Sequence, residues 1–249
     1  MNDRNETILK LLRIRQYMTV RDFCEALSAS PATVRRALAC LDEQGQLRYI
    51  NGGALLLQPE MSAYPSMHKE KHQIARAALA YVQPGDTLFM DAGSTNNVLA
   101  DYLIDIADLQ VVTNSIYIAY RLYAAHDRIR VCVCGGNIGA EPSALGAVVG
   151  ELAESLVKNI RANLFFMGCS AISAAQGVTD PNMPAARLKQ SMMENAQRTV
   201  LLCDHTKLGR VHMAYVAPVS AIHDMLTDAQ ADTEQLAALR EAGMSIKTT

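Results

Sequence analysis

Residues 87–96 read TLFMDAGSTN, a short apolar run that passes directly into a loop of small and hydroxyl-bearing residues. The run at 87–90 has the composition of a buried strand, and a helix is indicated from about Asn96 onward. A strand, a short loop and a helix in this order form half of a right-handed βαβ unit. The segment therefore predicts an α/β fold with parallel strands.

Similar apolar runs recur along the chain, each separated from the next by a stretch long enough for a helix. Helices that connect parallel strands cover both faces of the sheet. The sequence therefore predicts a mostly parallel sheet, preceded by an alanine-rich helix at about 67–82. The further predicted strands are 110–113, 130–134, 164–167, 199–203 and 224–227.

Upstream of this unit, residues 58–66 (QPEMSAYPS) contain two prolines and no apolar periodicity. Such a composition is typical of a linker. We therefore expect a small domain over 1–57 and a larger α/β domain over 67–249. Residues 1–57 carry eight Lys and Arg against six Asp and Glu, and the remainder carries 15 against 19. These imbalances are too small to indicate a nucleic-acid partner by themselves.

Three helices are predicted in the small domain. The first is indicated at 6–15 by its apolar spacing. Thr19 followed by Asp22 resembles a capping box, which starts a second helix. Ser30 is a natural N-cap, and Pro31 suits the first position of a third helix.

The third helix, at about 31–44, and two short strands within 46–57 complete a winged helix-turn-helix. Arg35 and Arg36 fall on a helix face that is distinct from its apolar positions, and arginine there can bind phosphate or guanine in the major groove of DNA. The competing interpretation is an ordinary solvated helix face. The predicted DNA contacts are Ser30, Thr33, Arg35, Arg36, Arg48, Tyr49 and Asn51.

The loops that follow the predicted strands carry a second candidate site. Because the carboxyl ends of parallel strands meet at one edge of a sheet, these loops are expected to lie side by side. Helix N-terminal amides and hydroxyl groups suit phosphate, Asp91 and Asn114 suit sugar hydroxyls, and a lysine can bind an anion. A capped βα turn and ordinary surface lysines are the competing interpretation. The predicted ligand contacts are Asp91, Gly93, Ser94, Thr95, Asn96, Asn114, Ser115, Gly135, Gly136, Lys189 and Lys207.

Composition and missing motifs argue against several classes of protein. Half of the 249 residues are hydrophobic and 19% are charged, as in a globular protein with a sizeable core. Apolar runs are too short for a membrane span and the N-terminus lacks the pattern of a secretory signal, so we expect a cytoplasmic protein with no membrane partner. The six cysteines lack zinc-type spacing and are expected to be reduced and mostly buried. No catalytic motif is present, so no catalytic residue, metal or cofactor is predicted.

Taken in order, these motifs resemble the DeoR family of bacterial regulators of sugar metabolism over nearly the whole chain. The resemblance implies an effector domain built like phosphosugar isomerases, which senses a phosphorylated sugar without turning it over. Ala37, Tyr49, Asn51 and Ala185 stand where the family usually has Asp, Arg, His and Glu. The motifs that carry the resemblance are Ser30-x-x-Thr33-Val34-Arg35-Arg36-x-Leu38, Gly45-x-Leu47, Gly52-Gly53-Ala54, Glu70-Lys71, Ile74-Ala75, Asp91-x-Gly93-Ser94-Thr95, Val112-Thr113-Asn114-Ser115, Gly135-Gly136, Gly177-Val178-Thr179 and Asp204-His205-Thr206-Lys207-x-Gly209.

The expected function is therefore transcriptional regulation. We expect a repressor of a sugar or sugar-alcohol catabolic operon that binds double-stranded operator DNA and is relieved by a phosphorylated sugar effector. The alternative is a sugar-phosphate isomerase-like enzyme with an accessory DNA-binding module. A homo-oligomer is also expected, because one small winged module buries too little surface to find an operator unaided.

Overall fold

The computed structural model describes residues 3–15, 17–43, 47–50, 52–55, 68–123, 125, 127–138 and 147–249. The chain forms two compact units, Met1–Ser66 and Met67–Thr249. The predicted linker at 58–66 and the predicted DNA contact Asn51 lie outside the described residues. Within the described ranges, no helix combines the length and the apolar character that a membrane span requires.

The first unit contains the three predicted helices and the two predicted wing strands, and it also contains one strand that was not predicted. Its sheet has the strand order β1-β3-β2, and both pairings are antiparallel. Buried side chains from the helices form its core, among them Ile8, Leu12, Phe23, Val34 and Leu38. The elements are α1 (Asp3–Arg15), β1 (Tyr17–Thr19), α2 (Val20–Leu27), α3 (Pro31–Glu43), β2 (Arg48–Ile50) and β3 (Gly53–Leu55).

The capping box predicted at the start of α2 is confirmed. The Asp22 amide donates to Thr19 Oγ1 at 3.2 Å, and the Thr19 amide donates to Asp22 Oδ2 at 2.9 Å. The short strand β1 just before this box was not predicted. Three residues are too few to show a strand period, and β1 is defined by its pairing with β3, where Tyr17 lies opposite Leu55.

The second unit is built on a seven-stranded sheet, which confirms the predicted α/β class. Its strand order is β15-β14-β12-β9-β4-β5-β6, and every pairing in it is parallel. All six predicted strands are present, and a seventh, β15, pairs with β14 at the edge of the sheet. The strands are β4 (Thr87–Met90), β5 (Leu109–Thr113), β6 (Ile129–Val133), β9 (Ala162–Gly168), β12 (Ala196–Leu202), β14 (Asp224–Thr227) and β15 (Ile246–Thr248).

Two hydrophobic clusters lie on the faces of this sheet, together with the helices that connect its strands. One cluster contains Phe89, Phe165 and Leu201, and the other contains Leu88, Phe166 and Val200. Neighbours along a strand point to opposite faces, so the sheet is buried on both sides as predicted. The helices are α4 (His68–Ala78), α5 (Ser94–Leu103), α6 (Ile116–Tyr123), α7 (Glu151–Lys158), α8 (Met183–Glu194) and α9 (Thr233–Glu241).

Two small antiparallel sheets in this unit were not predicted. One has the strand order β10-β11-β13, with β10 (Ala171–Ser173), β11 (Gly177–Asp180) and β13 (Ala214–Ala217). The other pairs β7 (Asn137–Ile138) with β8 (Val148–Val149). These strands are two to four residues long, which is too short to give a clear alternation of apolar and polar residues.

Candidate functional site

Helix α3 presents the two arginines predicted to contact DNA. Arg35 and Arg36 are exposed, whereas Val34 and Leu38 on the same helix are fully buried. Packing therefore fixes which face of α3 points outward, and both guanidinium groups are available to an anionic partner.

Ser30 and Thr33 stabilise the start of this helix. Their hydroxyl groups are 2.9 Å apart, and the Thr33 amide donates to Ser30 Oγ at 3.4 Å. This confirms Ser30 as the N-cap. Their predicted role in DNA contact is compatible with the cap, because a hydroxyl oxygen can accept a second hydrogen bond.

A cavity of about 380 Å³ lies beside Arg35, between α2, α3 and the wing. Tyr49, a predicted contact, lines it, and so does Arg21, which the sequence interpretation missed. Arg21 also pairs with Glu25 at 3.1 Å, and both side chains are exposed. The cavity is lined by Val20, Arg21, Cys24, Pro31, Arg35, Tyr49 and Gly52.

The remaining two predicted wing contacts are not described by the structure at the side-chain level. The backbone of Arg48 lies in β2, and Asn51 is outside the described residues.

The second candidate site lies at the carboxyl edge of the parallel sheet. Asp91 follows β4 and is buried, and its Oδ2 accepts a 3.2 Å hydrogen bond from the Gly168 amide at the end of β9. No hydrogen bond to Oδ1 forms within the described part of the chain. Oδ1 is therefore the Asp91 oxygen left to accept a bond from a ligand.

Lys189 of α8 lies 98 residues after Asp91 in the chain and reaches the same edge of the sheet. Its ammonium contacts Asp91 Oδ2 and lies 3.6 Å from Asp180 Oδ2, and all three side chains are buried. Burial by itself lowers the pKa of Lys189, but attraction to the two carboxylates raises that pKa above its ordinary value. Lys189 is thus a cation already shared by two anions. Its predicted contact with a phosphate remains a prediction.

Burial raises the pKa of the Asp91 carboxyl, and the Lys189 ammonium only partly opposes that shift. Asp180 is held separately. Ser170 Oγ donates to its Oδ2 at 3.0 Å and the Asn182 amide donates to its Oδ1 at 2.9 Å. The result is a fixed cluster of two carboxylates and one ammonium at the sheet edge.

Helix α5 begins at this edge with its first turn uncapped by any side chain. Gly93 is the N-cap, and its backbone is extended. A Cβ on Gly93 would meet Gly168 Cα at 3.8 Å, an ordinary contact distance, so packing alone does not demand a glycine there. Ser94 and Thr95 are the first residues of the helix. An uncapped N-terminus offers amide donors to an anion.

Three predicted contacts take structural roles in this region. Asn96 is fully buried and its Nδ2 donates to the carbonyls of Asp91 and Phe166, each at 2.9 Å. Asn114 Oδ1 accepts from the Ala92 amide at 2.8 Å, and Ser115 Oγ accepts from the amide of Ile118 in α6 at 3.2 Å. The Asn114 bond joins the loops after β4 and β5, the Asn96 bonds link the first loop to β9, and the Ser115 bond caps the start of α6.

Gly135 and Gly136 follow β6 and are exposed at the same edge. Gly136 has a φ of +141°, and a Cβ there would lie 2.5 Å from the Val149 carbonyl oxygen. A Cβ on Gly135 would meet only Leu152 Cβ at 3.9 Å. The close approach of β8 therefore explains Gly136 without any ligand.

Lys207 lies further along the edge, in a short 3₁₀ helix after β12. It forms no ion pair or side-chain hydrogen bond within the described part of the chain. Burial lowers the pKa of Lys71 in α4; the Asp204 carboxylate opposes that shift, and the Lys207 ammonium adds to it. Two ammonium groups, Lys71 and Lys207, are therefore close enough to repel one another.

The site residues that the sequence interpretation missed are Lys71, Gly168, Ser170 and Asp180. Lys71 belongs to the Glu70-Lys71 motif, which carries part of the family resemblance. Asp180 directly follows the Gly177-Val178-Thr179 motif, which carries another part. Gly168 and Ser170 carry no such signal. The structure groups Asp91, Asp180 and Lys189 directly, and it separates Lys207 from them by the width of β9.

Comparison with known proteins identifies similar domains in both units of the chain. A model of the DeoR C terminal sensor domain matches residues 66–229, and a model of the DeoR-like helix-turn-helix domain matches residues 4–60. The chain is 29% identical over 252 residues to the HTH-type transcriptional regulator GolR of Listeria innocua, across 98% of this chain and 97% of that protein. It is also 29% identical over 233 residues to the glycerol-3-phosphate regulon repressor of Escherichia coli, across 91% and 90% of the two chains.

Among solved structures, ribose 5-phosphate isomerase A of Methanocaldococcus jannaschii is similar with a TM-score of 0.41 and 13% identity, covering 57% of this chain and 54% of that one.

Proposed function

Because this chain belongs to the DeoR family of transcriptional regulators, we propose that it represses a sugar or sugar-alcohol catabolic operon and releases the operator when a phosphorylated sugar or sugar alcohol binds its second unit. One observation supports the effector half of this proposal. The uncapped N-terminus of α5, buried hydrogen-bond acceptors and lysines lie at the same edge of the sheet. One relative is a glycerol-3-phosphate regulon repressor, which supports this class of effector.

The phosphate is proposed to bind at Lys207 and Lys71 together with the first turn of α5. Lys189 is the weaker candidate, because Asp91 and Asp180 already neutralise it. The Asp204 carboxylate offsets part of the repulsion between Lys71 and Lys207, and an anion bound beside the two ammonium groups offsets more of it, because hydrogen bonds between ionised groups are stronger than those between neutral groups.

The hydroxyl groups of the effector are proposed to bind Asp91. Lys189 and the Gly168 amide occupy Oδ2, so Oδ1 is the oxygen that accepts from the ligand. A carboxylate accepts from a hydroxyl but repels an apolar or anionic group, so this position favours the polyol part of the molecule over its phosphate.

Operator binding is proposed to depend on Arg35 and Arg36 of α3. Their exposure on the face opposite the packed residues supports insertion of this helix in the major groove. The chain is proposed not to be an enzyme, because the carboxylate nearest the ligand, Asp91, is tied to Lys189 and is not a free general base.

A ligand screen tests the effector half. Sugar phosphates and their unphosphorylated parents are compared for thermal stabilisation of the protein, and the best compound is then tested for release of operator DNA. We expect the phosphates alone to stabilise and release. Lys207→Ala should stay bound to DNA in the presence of the effector, whereas Lys158→Ala, which removes an exposed lysine in α7, should respond like the wild type.

Two results contradict the proposal. Equal stabilisation by the free sugars refutes the phosphate site. Consumption of the sugar phosphate at a catalytic rate favours the isomerase-like alternative.

The DNA half is tested by a gel-shift titration. Arg35→Ala and Arg36→Ala are each expected to weaken operator binding by about 1–3 kcal/mol and to relax sequence specificity, if the arginines contact base edges. Lys10→Ala is the matched control, because Lys10 is an exposed cation of the same unit whose partner is Glu6 at 3.7 Å. Unchanged binding by both arginine variants overturns the assignment.

A further inference from the structure

Two cysteines end adjacent strands at the ligand edge of the sheet. Cys169 directly follows the last residue of β9, and Cys203 directly follows the last residue of β12. Those last residues, Gly168 and Leu202, are paired in the parallel ladder. The cysteines therefore occupy the next position in the same register.

This register places the two cysteines at a backbone separation that a disulfide can span. Adjacent strands lie about 4.7–4.9 Å apart, which falls inside the Cα separation of about 4.4–6.8 Å that a disulfide requires. Residues at the same register position share a sheet face, and both cysteines pack in the same hydrophobic cluster. The neighbouring Cys169 side chain, followed by burial, raises the pKa of Cys203 well above its ordinary value, and the Cys203 thiol donates a 3.6 Å hydrogen bond to the Asp204 carbonyl.

The two thiols differ in access to solvent. Cys203 is buried and Cys169 is half-buried. A small oxidant from solvent therefore reaches Cys169 first, and Cys203 is placed behind it as a resolving thiol.

We propose that Cys169 and Cys203 are a redox modification site, at which hydrogen peroxide or a related hydroperoxide produces a reversible disulfide between β9 and β12. Cys169 loses its proton, its thiolate attacks one oxygen of hydrogen peroxide, and the O–O bond breaks. The sulfur becomes a sulfenic acid, and the hydroxide that leaves takes up the proton as water; an organic hydroperoxide releases the corresponding alcohol instead. The Cys203 sulfur then attacks the Cys169 sulfur, its proton leaves with the hydroxyl group as a second water, and the S–S bond forms. Two thiols lose two electrons in total, and one peroxide gains them.

The disulfide also bears on the sensor, a consequence that rests on the proposed function. Gly168, which holds Asp91, precedes one cysteine, and Asp204, which begins the segment of Lys207, follows the other. The cross-link fixes the spacing of the hydroxyl-binding and phosphate-binding parts of the site. We expect oxidised protein to need roughly tenfold more effector for DNA release, within the ordinary range of coupling between sites.

Peptide mapping tests the modification site by itself. Reduced full-length protein is treated with hydrogen peroxide, its remaining thiols are blocked, and tryptic peptides are analysed by mass spectrometry without reduction. We expect peptide 162–187, which contains Cys169, linked to peptide 199–207, which contains Cys203, and we expect dithiothreitol to separate them. Cys169→Ser and Cys203→Ser should each abolish the link. Cys132→Ser, which removes an exposed cysteine outside the pair, should keep it.

Oxidation that ends in a sulfinic acid at Cys169, or in cross-links between chains, with no intramolecular link between the two peptides, overturns the proposal. Effector titration of the oxidised protein is a separate measurement. A link that forms without changing DNA release refutes the effect on the sensor and leaves the modification site standing, whereas absence of any effector response in reduced protein refutes the proposed function alone.

Discussion

Lys189 illustrates, at the scale of single residues, how neighbours decide what a charged side chain can do. A buried ammonium is costly unless it is paired, and here it is paired with Asp91 and lies 3.6 Å from Asp180. Removal of one member of such a group leaves the others as uncompensated buried charges, and that loss exceeds the net stabilisation by the intact group. Lys189 therefore contributes to the stability of the second unit whether or not a ligand binds.

We predict that Lys189→Met lowers the free energy of unfolding by about 3–5 kcal/mol near neutral pH. Burial already raises the pKa of Asp91, and loss of the ammonium raises it further. Because the folded-state pKa then lies above the unfolded value, the folded state takes up a proton as the pH falls, so the deficit should be smaller at mildly acidic pH than at neutral pH. Urea unfolding at both pH values measures it, with the surface variant Lys158→Met as control. A deficit that is the same at both pH values contradicts the assignment.

Backbone geometry governs the next scale, that of the elements. The loop from β6 into β7 turns at two glycines, and only the second is constrained. Gly136 combines a positive φ with a close approach to the Val149 carbonyl of β8, whereas Gly135 has an ordinary contact at its Cβ position. The pairing of β7 with β8 therefore depends on Gly136.

We predict that Gly136→Ala lowers the free energy of unfolding by about 1–3 kcal/mol, because its side chain demands both a strained φ and a shift of β8. Gly135→Ala, one residue away, should change the free energy of unfolding by about 0.5 kcal/mol or less. Denaturant titration of the two variants against the wild type makes the comparison. Equal losses would show that the loop is not held in the way described.

At the scale of the whole molecule, the two units share a chain whose charge is nearly balanced, with a formal net charge of −2. General electrostatic attraction therefore contributes little to operator affinity, and binding must come from a few well-placed cations. A single α3 helix supplies few such contacts, so affinity depends on the number of winged modules that bind together.

We predict that the protein is a homo-oligomer that reads two half-sites separated by about one helical turn of DNA, or by multiples of it. Analytical ultracentrifugation of the free protein and of the operator complex measures the mass, and a change in half-site spacing by half a turn should abolish high-affinity binding. A monomer in both states, or indifference to half-site spacing, contradicts this prediction.

The local sequence was sufficient to predict features that depend only on residues close to one another in the chain. The capping box of Thr19 and Asp22, the N-cap at Ser30 and the strand-loop-helix at 87–96 each lie within a few residues, and all were predicted. The sequence also indicated the exposed position of Arg35 and Arg36, since the period of an α-helix places them away from the apolar residues. The expectation that the cysteines are mostly buried was wrong for Cys40 and for Cys132, and Cys132 lies on the edge strand β6 of the sheet.

The sequence alone thus determined the α/β class, the winged module and the loops at the carboxyl edge of the parallel sheet, since these follow from periodicity, caps and turn residues. The tertiary structure decided which side chains meet. Lys189 contacts Asp91 across 98 residues of chain, β1 pairs with β3, and Cys169 lies beside Cys203 in the sheet register. Such contacts depend on strand order and helix packing, and the local pattern of apolar and polar residues does not determine either of these. They are fixed only when side chains pack into the core on both faces of the sheet.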